Sequence, residues 1–71
     1  MSLNIKQRLG KRIKELRKEK GLTQQRLAEL AHVDYKYLQR IEGLNPPALR
    51  IDTIDKLSKA LKVKPAELLK F

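Results

Sequence analysis

The chain has 71 residues, with 17 Lys or Arg against 8 Asp or Glu for a formal charge of +9, and no cysteine. A domain of this length buries only about 60% of its unfolded surface, so it builds one small core, and without cysteine neither a disulfide framework nor a thiolate metal site is available. The excess positive charge points to a polyanion, nucleic acid first, while three aromatics, Tyr35, Tyr37 and Phe71, are too few to stack rows of unpaired bases; duplex is favoured over single strands. No apolar run approaches the roughly 18 residues of a membrane span, and the N-terminus lacks the apolar stretch of a signal peptide. The expectation is a soluble, cytoplasmic, nucleoid-associated protein with no membrane partner.

No linker, repeat or low-complexity tract divides the sequence, so residues 1–71 read as a single domain behind a short flexible N-terminus of about residues 1–4. Eight of the basic residues fall between Lys6 and Lys20. Within that segment Ile5, Leu9, Ile13 and Leu16 form one apolar stripe at helical spacing, and the helix stops near Gly21, after Lys18 and Lys20 at the negative end of its dipole. Thr23 supplies an N-cap hydroxyl for a second helix of about nine residues that turns Leu27, Ala28 and Ala31 inward. His32 and Val33 are left for the turn. Asp34 is the next N-cap, and its helix, about residues 34–42, carries Leu38 and Ile41 inward before Gly43.

Asn45, Pro46 and Pro47 then define a loop. Ile51, Ile54, Leu57 and Leu61 mark the apolar face of a fourth helix. Pro65 suits a first helical position, and "AELLKF" makes a short fifth. The predicted fold class is all-α: a compact five-helix bundle without strands.

Two short helices joined by a turn of a few residues, the second polar at its N-terminal end, are the elements of a helix-turn-helix, whose second helix fits a major groove about 12 Å wide. The segments "KRIKELRKEKGLTQQRLAELA", "YLQRIEG" and "IDTIDKLSKALKVKPAELL" resemble the Cro/C1, or phage-repressor, helix-turn-helix family of lambda-repressor-like fold. Within that family they are similar to restriction–modification controller proteins.

The resemblance implies a sequence-specific regulator of transcription, a repressor or controller, working as a homodimer on a pseudo-palindromic duplex. It places Gln24 on a phosphate at the start of the second helix, with Thr23 and Gln25 as neighbouring phosphate candidates. Asp34, Tyr35, Lys36, Gln39 and Arg40 match positions that face the groove, and Tyr37, Leu38 and Ile41 match positions that support the helix from behind. Lys36 and Arg40 have the chemistry for guanine O6 and N7, and Gln39 for adenine. Asp34 has two jobs open to it, accepting from cytosine N4 or capping its own helix. For Tyr35 a thymine-methyl contact, a phosphate bond and plain solvent exposure all stay open.

Glu42 matches a position that pairs with an arginine of the first helix, here Arg17, a structural ion pair. Relatives usually carry glycine at the place of His32. The loop "GLNPPAL" is one residue longer than the family spacing and poor in charge, so the phosphate contacts assigned to Asn45 and Arg50 depart from the pattern.

An enzyme is not expected. Ser2 and Ser58 are the only serines, no paired acidic motif exists, and a lone histidine coordinates metal weakly; neither metal nor cofactor is called for. The rival from another class is an antitoxin-like or coactivator-like protein-interaction module on the same fold. Leu30, Leu44, Leu69 and Phe71 are apolar residues the core does not need. The tail residues Leu68, Leu69 and Phe71 are the dimer-contact candidates.

Overall fold

Five helices follow one another in the computed structural model, which describes residues 4–71: α1 (Ile5–Glu19), α2 (Gln24–Ala31), α3 (Tyr35–Ile41), α4 (Ile51–Leu61) and α5 (Pro65–Leu68). Among the described residues there is no strand, and no helix is long and apolar enough to cross a membrane.

The helix starts are written in side chains. Thr23 Oγ1 accepts from Arg26 N at 3.0 Å and Asp34 Oδ1 from Lys36 N at 2.7 Å, each satisfying a donor the first turn would otherwise leave open. The flexible N-terminus expected over about 1–4 lies, for residues 1–3, outside the described residues. Asn4 departs from that expectation: its Oδ1 accepts from Gln7 N at 2.9 Å while Gln7 Oε1 accepts from Asn4 N at 3.1 Å, a reciprocal capping box that opens α1.

The helix stops follow one rule three times. Just past α1, α2 and α4 stand Gly21, His32 and Lys62, with φ of 70°, 56° and 58°. The next residue's N–H then reaches back to the last turn: Leu22 to Arg17 O, Val33 to Ala28 O and Val63 to Ser58 O, each at 3.0 Å. Leu22, Val33 and Val63 pack against the core, completing the left-handed cap with its hydrophobic contact.

Leu9, Ile13, Leu16, Leu27, Ala28, Ala31, Leu38, Ile41, Leu57, Leu61 and Leu68 make the core. Two residues assigned to apolar stripes are exposed instead. Ile5, 66% exposed, sits in the first turn of α1, ahead of Leu9 where burial begins. Ile51 is 85% exposed because at ~100° per residue it lies roughly a quarter-turn from the line through Ile54, Leu57 and Leu61. α5 ends at Leu68, short of the expected "AELLKF": no residue beyond it is buried, and one helical turn without packing does not propagate.

Candidate nucleic-acid interface

Helix α3 is seven residues long, too short to be stable by itself, so its form and direction come from what it packs on. Leu38 and Ile41 are fully buried and Tyr37 half-buried, while Tyr35, Lys36, Gln39 and Arg40 are exposed. At ~100° per residue those four span an arc of about 140°, directly opposite the buried pair. The polar residues expected to face a groove therefore share one solvent face. Asp34 is exposed too, with one carboxylate oxygen engaged by the Lys36 amide.

Arg17 and Glu42 meet behind this helix. Arg17 Nε and Nη2 donate to Glu42 Oε2 and Oε1 at 2.9 and 3.0 Å, a forked pair whose side chains are 10% and 1% exposed. Arg17 Nη1 also donates to Leu22 O at 2.7 Å, and Gln24 Nε2 donates to Glu42 Oε1 at 3.1 Å. The carboxylate at the end of α3 thus ties down α1 and the start of α2, while Arg17 holds the α1–α2 turn. The fork supplies enough donors to satisfy a carboxylate withdrawn from water.

Gln24 is half-buried, its amide nitrogen held by Glu42, and its amide oxygen makes no protein hydrogen bond among the described residues. Gln25 is exposed beside it, and Thr23 uses its hydroxyl oxygen as the α2 cap. Asn45 is exposed in the loop after α3. Arg50, also exposed, turns its guanidinium to Asp52 at 3.3 Å, so the two loop candidates do not converge with Gln24 in any shared network.

Of the dimer-contact candidates, Leu69 and Phe71 are 49% and 52% exposed, but Leu68 is fully buried. That assignment is corrected: α5, opened by Pro65, turns Leu68 into the core, and Arg12 holds the turn there through Nε to Glu67 O at 2.8 Å. Leu30 and Leu44 are exposed as well.

Some residues that shape this face had a weaker signature. Gly10 lies where α1 crosses the end of α3, and a Cβ there would collide with the Ile41 carbonyl. A glycine inside a helical pattern is the only sequence cue. Gln7, Lys11 and Lys14 line a cleft with Gly43 and Leu44, and Gln7 Nε2 donates to Leu44 O at 3.3 Å. These cations belong to the basic run of the first helix, but their place beside α3 follows only from helix packing.

The sequence profile of the Cro/C1-type HTH DNA-binding domain matches residues 12–71. The chain belongs to this family. Among solved structures it is similar to the restriction–modification controller protein C.AhdI from Aeromonas hydrophila, at 36% identity over 89% of this chain and 94% of that one, TM-score 0.84. SinR, the master regulator for biofilm formation, solved in complex with DNA, is 40% identical over 87% of this chain and 98% of that one, TM-score 0.82. C.Esp1396I bound to a 25 base pair operator site is 29% identical over 97% and 90%, TM-score 0.85. Among curated proteins none matches. Membership makes α2 and α3 the helix-turn-helix of a DNA-binding regulator and puts His32 at its turn.

Proposed function

We propose that the protein is a sequence-specific regulator of transcription, a repressor or controller, that binds duplex DNA as a homodimer with α3 in the major groove. The observation that carries this reading is the division of α3 into a buried apolar side and an outward face of Tyr35, Lys36, Gln39 and Arg40, on a chain of charge +9. Lysine and arginine suit guanine O6 and N7, and glutamine suits the N6 and N7 edge of adenine. Gln24, with Thr23 and Gln25, stands at the N-terminus of α2, where amide donors and the helix dipole favour a phosphate. The operator complex of C.Esp1396I and the DNA complex of SinR support the partner class.

The two copies of α3 would lie roughly 34 Å apart on successive major grooves, with Leu69 and Phe71 contributing to the contact between subunits. The test is selection of binding sites from random duplexes, followed by sedimentation of the protein with the selected sites. The expected result is a pseudo-palindrome bound by two subunits. Across 50 to 200 mM salt, six to ten phosphate contacts would lower affinity by roughly 10³ to 10⁵. One subunit per selected site would overturn the dimer, and a flat salt response the electrostatic basis.

A further inference from the structure

A cavity lies away from α3. It is a groove of about 540 Å³ between the ends of α1 and α4 and the outer side of α2, to which α3 contributes no residue. Its floor is apolar: Leu22, Leu30 and Ala60, with Leu30 39% exposed. Its rim is cationic, made by Lys20, Arg26, Lys59 and Lys62, and no carboxylate lines it.

We propose that this groove docks an acidic amphipathic helix of another protein, apolar side chains on the leucine floor and carboxylates on the cationic rim. Such a helix presents anchors three and four residues apart, matching an apolar trough with charged edges. Charge complementarity selects this occupant. Lys20 and Lys62 have no ion pair among the described residues, and Arg26 and Lys59 are engaged only in exposed pairs within their own helices, at 3.7 Å to Glu29 and 3.0 Å to Asp55. Exposed pairs of this kind contribute little and exchange readily for an incoming carboxylate.

Duplex is a poor occupant because phosphates gain nothing from a floor of leucine. A second copy is a poor occupant of this groove because none of its helices α1 to α4 carries a net negative charge to meet the cationic rim. Lys62 holds a left-handed backbone, φ 58°, where glycine sits with less strain, and its side chain is a cation on the rim.

The inference does not rest on the DNA-binding reading. Its test is a titration of isotope-labelled protein, followed by amide NMR, with a synthetic 14-residue peptide carrying glutamate on one helical face and leucine and phenylalanine on the other. Saturable shifts are expected at Leu22, Arg26, Leu30, Ala60 and Lys62. A control peptide with serine for every apolar residue should bind at least about tenfold more weakly, the size expected for withdrawing one buried leucine. Leu30→Glu, at an exposed position, should weaken the first peptide by a similar factor.

Lys62→Gly should leave the fold as stable or more so while still lowering peptide affinity severalfold, which a purely structural lysine would not do. The proposal is overturned if the groove amides do not shift, if both peptides bind equally, or if Leu30→Glu changes nothing. Shifts centred on Lys36 and Arg40 would also overturn it, since the peptide would then be imitating phosphate. Concentration-dependent shifts in the groove without peptide would assign it to a second copy and overturn it equally.

Discussion

Gly10 of α1 and the carbonyl of Ile41 in α3 meet so closely that the absent side chain is what lets the two helices cross: a Cβ at residue 10 would overlap the Ile41 oxygen and stand 3.2 Å from its carbonyl carbon. Alanine in place of a mid-helix glycine ordinarily stabilises by about 0.5 to 1 kcal/mol. Here the neighbour is backbone and cannot swing aside, and forced overpacking costs about 1 to 3 kcal/mol. Gly10→Ala is therefore expected to destabilise the fold in denaturant melts. A gain in stability would show that α1 and α3 can part without loss.

The Arg17–Glu42 fork yields a second prediction. Glu42→Ala strands a buried guanidinium and a half-buried amide, and breaking a buried pair from one side costs about 3 to 5 kcal/mol. The double replacement Arg17→Met with Glu42→Leu removes both charges and should lose much less. Thermal melts of the two variants check the order. Equal losses would mean the pair acts through shape rather than charge.

The left-handed caps offer a third. Backbone at positive φ costs a non-glycine residue roughly 1 to 2 kcal/mol, part of which glycine gives back through its freer unfolded chain. His32→Gly and Lys62→Gly should each be neutral to mildly stabilising, by no more than about 1 kcal/mol. His32→Val, which brings a β-branch to φ 56°, should be clearly destabilising. A large loss for His32→Gly would reveal contacts of the imidazole beyond its backbone.

A fourth prediction separates reading from positioning. Lys36→Ala or Arg40→Ala should weaken binding to a selected duplex by about 1 to 3 kcal/mol and relax base preference at one position of each half-site. Gln24→Ala should weaken all sequences alike. Because its amide also donates to Glu42, it should in addition lower stability by about 0.5 to 1.5 kcal/mol. Site selection with Arg40→Ala decides the first half: an unchanged preferred sequence removes Arg40 from the base readers.

What the sequence made legible follows the range over which the physics acts. Thr23, Asp34, Gly21 and Pro65 act within one turn, and their helices start and stop where these residues stand. Periodicity locates Leu9 to Leu16 and Leu57 to Leu61, but spacing is blind to where neighbouring helices stop covering a stripe, which leaves Ile5 outside, and a stripe drawn from Ile51 ignores the quarter-turn that separates it from Ile54, Leu57 and Leu61. Leu68 and Leu69 look alike in sequence, and only the packing of α5 on α1 and α4 distinguishes core from surface. The meeting of Gly10 with Ile41, and of Arg12 with Glu67, joins residues 31 and 55 apart in the chain. No local rule announces such pairs.

The outward positions of α3 have a consequence for how such a chain changes over generations. Tyr35, Lys36, Gln39 and Arg40 form no hydrogen bond or ion pair through their side chains with the rest of the molecule, among the described residues, and are exposed, whereas Leu38, Ile41 and the carboxylate of Glu42 bear the attachment of the helix. Substitutions at exposed sites without partners usually stay within about 0.5 kcal/mol. The lettering of this face can thus be rewritten, several residues together, while the frame that displays it is inherited unaltered. Descendants of one stable ancestor are free to diverge in what they address without first having to relearn how to fold.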